Sequence, residues 1–236
     1  MINRSNAFTL AEVLITLGII GIVAAMTIPT LMQKTQKHQT VVGLKKAYTT
    51  MSQAYERSKV ENGDGPSWDW TLGITTFMKT YIIPYLSIAK DCGTQNTDDC
   101  GIRTKTWLNG KTMECSENGC SSVYSVLLSD GTSCIFDFHA GHFVNIVVDI
   151  NGNKKPNIIG KDIFFMRLFN ISDSGFYKNQ DLDKIAMMDF YVNTRELALS
   201  DNRFGCNKLA SASAAGLFCG KLIQLDGWEI KDDYPW

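Results

Sequence analysis

The chain has 236 residues, of which 44% are hydrophobic and 20% are charged, so it is long enough for one folded domain with an appendage. This composition excludes an intrinsically disordered chain. The 23 basic and 24 acidic residues leave a net charge of −1, so we expect no global electrostatic attraction to nucleic acid.

A long apolar segment lies near the N-terminus. Residues Val13 to Met32 are 20 residues without a charge, about the length of a helix that crosses the hydrocarbon layer of a membrane. Arg4 precedes this segment, and the positive-inside rule would keep Arg4 in the cytoplasm and place the remainder outside. A secretory signal peptide cleaved near Val23-Ala24-Ala25 and an uncleaved signal anchor are the two simpler interpretations.

Two residues are unusual for a simple anchor. Glu12 puts a carboxylate at the start of the apolar run, where a charge costs up to roughly 2.5 to 3.5 kcal/mol in lipid, so we expect it to have a partner. Pro29 removes one backbone hydrogen bond and clashes with the carbonyl of Ala25, which predicts a bend in the helix. We expect Thr27 and Thr30 to satisfy the backbone groups that this bend frees.

The residues Ala7-Phe8-Thr9-Leu10-Ala11-Glu12, followed by the apolar run, resemble the prepilin motif of type IV pilins and type II secretion pseudopilins. The resemblance implies that prepilin peptidase cuts between Ala7 and Phe8 and that Phe8 becomes the N-methylated first residue. Ala7 departs from the glycine that commonly precedes the cut in that family. Pro29 is a second match, because pilins commonly carry a helix-kinking proline at this distance from the cut.

The same resemblance implies a route to assembly. Glu12 would pair with the amine of Phe8 in a neighbouring subunit, and Gly18, Gly21 and Ala25 would let helices approach closely. The implied partners are prepilin peptidase, further copies or other pilin-like subunits, and an inner-membrane assembly platform. The implied location is the cytoplasmic (inner) membrane, as a single-pass protein whose C-terminal head lies outside the cytoplasm, and then a filament.

The chain becomes polar and basic after this segment, with apolar residues three and four positions apart. These residues are Val41, Leu44, Tyr48, Met51 and Tyr55. Their spacing predicts that one long helix continues to about Arg57 and packs on the sheet of the head. The predicted divisions are a leader at 1–7, a transmembrane or filament-core helix at 8–32, an amphipathic stem helix at 33–62 and a globular head at 63–236.

The rest of the sequence predicts an α+β head, in which the long helix packs on an antiparallel β-sheet as in pilins. A second helix is expected from about Trp70 to Tyr81, limited by Pro84, and a polar loop without periodicity follows to about Ser121. Alternating segments predict a meander and one further strand. The segments are Val123 to Leu128, Ser133 to Phe138, Phe143 to Ile150 and Ile163 to Phe169.

Seven cysteines favour an oxidising compartment and disulfide bonds. The short spacings suggest the pairs Cys92 with Cys100, Cys115 with Cys120 and Cys206 with Cys219, although sequence leaves the connectivity open. Cys134 would then be a buried free thiol in a strand. Structural zinc is the alternative, but the chain has no CxxC pair, and His139 and His142 have no cysteine at finger-like spacing.

A polar loop after the third meander strand is a candidate metal site. Asp149, Asn151, Asn153 and Asp162 alternate oxygen-bearing side chains as at the start of a calcium loop, but Gly160 stands where an EF-hand has its bidentate Glu. This loop also resembles one found in many pilin-like heads, some of which bind calcium. The favoured interpretation is a plain Asx-rich turn without a cofactor, and calcium is the alternative.

No catalytic motif is present, and His38, His139 and His142 are the only imidazole bases, so an enzyme is not expected. The favoured hypothesis is a pilin-like structural subunit of a type IV pilus or a type II secretion pseudopilus. The rival hypothesis is a signal-anchored extracytoplasmic module that binds a ligand and belongs to no filament.

Overall fold

One helix, α1, begins at Leu10 and ends at Asn62, so the predicted membrane segment and stem belong to one continuous helix. The computed structural model describes residues 9–94, 100, 105–113, 123–139, 141–152, 154–170, 184–189, 191–211 and 214–236. The chain divides into two units, Met1–Gln39 and Thr40–Trp236. The second unit starts well before residue 63, because the later half of α1 is part of the core of the head.

The predicted apolar stripe on this half of α1 is confirmed. Leu44, Met51 and Tyr55 are buried, and Val41 and Tyr48 are half-buried against the same core. The helix ends later than the predicted Arg57. Gly63 follows with a left-handed backbone, and its N–H bonds to the carbonyl of Lys59, which is a common way to end a helix.

The second helix, α2 at Ile74–Tyr81, is shorter than predicted. Trp68 and Trp70 precede it in a turn, and their indole N–H groups donate to the carbonyl oxygens of Gly63 and Gly65, both at 2.8 Å. A cluster of aromatic rings fills the space between this turn, α1, α2 and the sheet. Its members are Tyr55, Trp68, Trp70, Phe77, Tyr81 and Phe138.

The head contains a six-stranded antiparallel sheet, which confirms the α+β prediction. Its strands are β1 at Ile88–Gly93, β4 at Val123–Leu128, β5 at Ser133–His139, β6 at Phe143–Asp149, β7 at Ile163–Phe169 and β8 at Ile185–Met187, in the order β1-β4-β5-β6-β7-β8. The row Phe136, Ile146, Met166 and Met187 pairs across four strands and is buried. The predicted meander and the strand after it agree with β4 to β7 within one residue.

Several short elements were not predicted. The supposed loop before Ser121 contains β1 and a small second sheet made of β2 at Lys105–Thr106 and β3 at Thr112–Met113. Strands β1 and β8 lie at the edges of the main sheet, where polar residues are tolerated and alternation is weak. Two short helices near the C-terminus, α3 at Arg195–Ser200 and α4 at Cys219–Leu225, complete the head.

Two of the predicted disulfides are confirmed, because Cys92 is bonded to Cys100 and Cys206 to Cys219. The predicted partners Cys115 and Cys120 lie outside the described residues. Cys134 is a buried free thiol in β5, as predicted. Burial raises the pKa of this thiol, which keeps it in its unreactive form.

The C-terminal segment is tied to the head by several different contacts. Tyr234 is buried, and its hydroxyl donates to the carbonyl of Gly160. Trp228 packs against Tyr48 of α1 with ring centroids 5.5 Å apart. Arg195 of α3 bonds to the carboxylate of Asp226 at 2.6 Å. The aromatic ending of the chain therefore belongs to the core of the head.

We predict that Gly65→Ala destabilises the head. An added Cβ would meet the hydroxyl of Tyr55 far inside contact distance and its Cε2 at 3.1 Å. Since Tyr55 is 1% exposed, the clash should lower the free energy of unfolding by about 1 to 3 kcal/mol in denaturant titrations. In a Tyr55→Phe background the same change should cost less, and an equal cost in both backgrounds would contradict this explanation.

Candidate functional site

The N-terminal end of α1 is closed by a reciprocal pair of side chains. The Oε2 atom of Glu12 accepts hydrogen bonds from the backbone N–H and the hydroxyl of Thr9, both at 2.8 Å. In return, the backbone N–H of Glu12 donates to the Thr9 hydroxyl at 3.3 Å. This is a capping box, in which Thr9 is the N-cap and Glu12 the third helical residue.

The capping box gives Glu12 a partner that was not predicted. The Thr-x-x-Glu spacing is visible in the sequence, whereas the pilin resemblance implies only the amine of a neighbouring subunit as the partner of Glu12. Both bonds from Thr9 end on Oε2, so the capping arrangement does not use Oε1. One carboxylate can therefore cap its own helix and still offer an oxygen to another chain. The predicted processing residues Ala7 and Phe8 lie outside the described residues.

Pro29 lies inside α1, and the helix continues on both sides of it. The hydroxyl groups of the neighbouring threonines do not bond to the carbonyl of Ala25, as expected, but to other carbonyl groups of the helix. Thr27 donates its hydroxyl to the carbonyl of Val23 at 2.9 Å, and Thr30 donates to that of Met26 at 3.5 Å. Neither bond reaches the carbonyl of Ala25, because a threonine hydroxyl on a helix reaches the carbonyl three or four residues earlier, and Ala25 lies two residues before Thr27 and five before Thr30.

The apolar half of α1 is long and apolar enough to cross a membrane, by length and composition. Nearly all of its large apolar side chains are exposed, with Leu10 at 79% and Met26 at 73%. A Cβ added to Gly18 or Gly21 would meet no atom within 4 Å. Within the part of the first unit that the structure describes, this apolar surface is therefore exposed.

The second candidate is the loop that joins β6 to β7. It brings together three of the four predicted oxygen donors, whereas Asn153 lies outside the described residues. One Oδ of Asp162 accepts the N–H of Asn157 and the other that of Ile158, both at 2.7 Å, and the side chain of Asn151 donates to the first at 3.3 Å. Asp149 accepts the N–H of Asn151 at 3.2 Å. The carboxylates thus organise the loop by binding its own N–H groups.

Burial makes this loop electrostatically unusual. Asp149 is 2% exposed and Asp162 is 3% exposed. Burial raises the pKa of Asp162, while burial together with the charge of Asp162 raises the pKa of Asp149 to about 7. Lys105 of β2 is also buried and lies within electrostatic reach of both carboxylates, and burial lowers its pKa to about 8.

Among the described donors of this loop, the oxygens of Asp162 are already engaged by the chain itself. Calcium takes about six to eight oxygen ligands, but both oxygens of Asp162 already accept N–H groups of the loop. The ammonium of Lys105 adds a positive charge in the same buried region, and this charge repels a divalent cation. The sequence carries no signal for the burial of Lys105, because nothing distinguishes this lysine from others in a polar loop without periodicity.

The histidines form no metal site in the described part of the chain, where no group of three or more His, Cys, Asp or Glu side chains is placed to hold a metal. His139 instead bonds through Nε2 to Asp137 at 2.9 Å and packs on the ring of Phe143.

We predict that Asp162→Ala destabilises the head by about 2 to 4 kcal/mol, because the buried N–H groups of Asn157 and Ile158 lose their acceptor. Asp162→Asn keeps one acceptor oxygen and should cost less. Denaturant unfolding of the full chain in detergent, followed by tryptophan fluorescence, measures both. Asp232→Ala is the control, because Asp232 is exposed, and it should change the free energy of unfolding by less than about 0.5 kcal/mol. Equal effects of Asp162→Ala and Asp232→Ala would contradict this prediction.

Comparison with known families gives two matches. A model described as a family of unknown function (DUF6613) matches residues 30–236. A model described as a prokaryotic N-terminal methylation motif matches residues 2–28, which include Ala7, Phe8 and the capping box. No curated protein and no solved structure matches the chain.

Proposed function

Because this chain belongs to the family of unknown function DUF6613 and is a prepilin-type protein with an N-terminal methylation motif, we propose that it is a structural subunit of a type IV pilus or a type II secretion pseudopilus. Prepilin peptidase would cut before Phe8, and the subunit would wait in the cytoplasmic membrane until an assembly platform transfers it into a filament. Its N-terminal helix would then exchange contacts with lipid for contacts with the helices of other subunits.

The observation that carries this proposal is the methylation motif in front of an uncovered apolar helix. Twelve large apolar side chains between Leu10 and Met32 are more than half exposed. Each such side chain contributes about 1.5 to 3 kcal/mol when it is fully removed from water. A surface of this size requires an apolar environment, which a lipid bilayer or a bundle of similar helices supplies.

Glu12 supports assembly rather than simple anchoring. A simple anchor gains nothing from a carboxylate in its apolar segment, which costs free energy in lipid. The capping bonds from Thr9 lower that cost while the subunit is still in the membrane. In a filament, Oε1 would accept the amine of Phe8 from a neighbouring subunit, and both buried charges would then be paired.

Three further features of the chain support the proposed assembly and location. Gly18, Gly21 and Ala25 share one side of the helix, where small residues allow helix backbones to approach closely. The two disulfides of the head fit an oxidising environment outside the cytoplasm. Arg4 would keep the leader on the cytoplasmic side, where the peptidase acts.

We predict that the mature protein begins with N-methylated Phe8, and mass spectrometry of the N-terminal peptide measures this directly. Cells that lack prepilin peptidase provide the control, and the chain should keep its leader in them. If cells with the peptidase yield an intact Met1 or a terminus at Met26, the chain is a signal anchor or a signal-peptide substrate, and the proposal fails.

We predict that Glu12→Ala leaves membrane insertion intact and lowers incorporation into filaments by about tenfold or more, because the amine of Phe8 loses its buried partner. Glu12→Gln should be equally defective, since its amide oxygen keeps the bond from Thr9 but carries no charge. Immunoblots of sheared filaments and of membranes separate the two steps.

Glu56→Ala is the matched control for these variants, because Glu56 is an exposed carboxylate in the polar half of the same helix. Its incorporation should equal that of the wild type. Wild-type incorporation of Glu12→Gln would show that capping, and not charge pairing, is the role of this carboxylate.

The rival function, an anchored module that binds a ligand outside any filament, makes a different prediction for both experiments. It requires neither a methylated Phe8 nor any effect of Glu12 beyond insertion. The two measurements together therefore distinguish the filament subunit from the rival.

A further inference from the structure

The lysines of helix α1 have no carboxylate near them on the helix itself. Between Glu12 and Glu56 the sequence contains four lysines and no Asp or Glu. Side chains three and four positions apart are neighbours on a helix, and no acidic residue lies at these distances from any of the four. An anionic partner for these lysines therefore comes from another part of the chain or from another molecule.

The head supplies partners for two of these lysines. The Nζ atom of Lys46 lies 2.9 Å from Oδ2 of Asp130, and the ammonium of Lys45 lies 5.9 Å from the centroid of the Trp228 ring.

The other two lysines, Lys34 and Lys37, belong to the first unit of the chain. Lys34 is exposed and Lys37 is partly exposed, and neither forms an ion pair with a described residue. Their charges are thus available to a second molecule.

The spacing between these two lysines and the apolar segment matches the structure of a membrane surface. As a helix, Val13 to Met32 covers about 30 Å, which equals the thickness of the hydrocarbon layer. Lys34 follows Met32 by two residues and Lys37 follows it by five, so in an upright helix they stand about 3 Å and about 7.5 Å beyond the hydrocarbon. The polar headgroup layer is about 5 to 7 Å deep on each side, and the flexible stem of lysine adjusts the height of its ammonium.

We propose that Lys34 and Lys37 form a binding site for the headgroup of an anionic phospholipid, such as phosphatidylglycerol, at the outer surface of the membrane. This inference rests on the proposed function, which holds the subunit in the membrane with its head outside the cytoplasm. The lysines are three positions apart and share one side of the helix, so both ammonium groups can donate to the phosphate of one lipid. The site would hold the subunit in the membrane until contacts in the filament replace it.

The position of the lysines next to the apolar surface favours a lipid as the partner. The large apolar side chains that precede them are exposed, with Leu31 at 66% and Met32 at 56%. A phospholipid carries its phosphate directly beside its acyl chains, in the same order in which α1 presents its lysines and its apolar side chains. One lipid therefore satisfies both features, whereas a carboxylate on another protein, the alternative anion, satisfies only the charge.

The test titrates the full chain in a neutral detergent with dioctanoyl phosphatidylglycerol and counts bound lipids by native mass spectrometry. The wild type should bind this lipid more tightly than dioctanoyl phosphatidylcholine. Lys34→Gln/Lys37→Gln should weaken binding of phosphatidylglycerol by about tenfold or more, since each lysine near an anionic lipid contributes about fivefold. Inorganic phosphate at the same concentration should not displace the lipid, because it lacks the acyl chains that hold the headgroup beside the helix.

Two control variants separate charge from other effects. Lys34→Arg/Lys37→Arg keeps both charges and should keep most of the affinity for phosphatidylglycerol. Lys79→Gln removes an exposed lysine from α2 and should bind the lipid as the wild type does. Equal affinities of the wild type and Lys34→Gln/Lys37→Gln would overturn the inference. Reduced filament incorporation of that variant with unchanged lipid binding would also overturn it, because the lysines would then contact a protein.

The result is distinguishable from a failure of the proposed function. A mature chain with methylated Phe8 and no preference for phosphatidylglycerol would contradict the lipid site alone. A chain that keeps Met1 but binds phosphatidylglycerol through Lys34 and Lys37 would contradict the filament subunit alone.

Discussion

The head depends on the burial of one side of α1. Leu44, Met51 and Tyr55 place their side chains in the core, where the sheet, the aromatic cluster and the C-terminal segment meet. Each of these side chains contributes about 1.5 to 3 kcal/mol by leaving water. The first half of the same helix is apolar on all sides and has no such cover among the described residues. One helix thus carries a buried apolar face in its second half and an exposed apolar surface in its first half.

The elements that were predicted correctly from sequence are those whose apolar residues recur at a regular spacing. The stripe from Val41 to Tyr55 repeats every three to four residues, and strands β4 to β7 alternate over six or seven residues. The edge strand β1 and the two-residue strands of the small sheet are too short or too polar to show a period. Their positions are decided by pairing with distant strands, which no local pattern records.

The two candidate sites also differ in how clearly the sequence indicates them. Glu12 was identified because a lone carboxylate in an apolar run is conspicuous, and its cap by Thr9 follows from a spacing of three residues. The burial of Lys105 within electrostatic reach of Asp149 and Asp162 has no local signal, because these carboxylates lie more than forty residues later in the chain. The loop that carries Asp149 and Asp162 also accepts hydrogen bonds from Thr40 of α1 at Lys161 and from Tyr234 at Gly160. Its charges therefore lie where the helix, the sheet and the C-terminal segment join.

The free thiol of Cys134 links the folding of the sheet to the preservation of the disulfides. In the folded head this thiol is buried in β5, and the sheet shields it from exchange with the bonded cysteines. In the unfolded chain, this thiol is accessible, and a thiolate can exchange with the disulfide of another cysteine pair. Burial of Cys134 in β5 therefore makes the folded sheet itself a protection of the two native disulfides against thiol exchange.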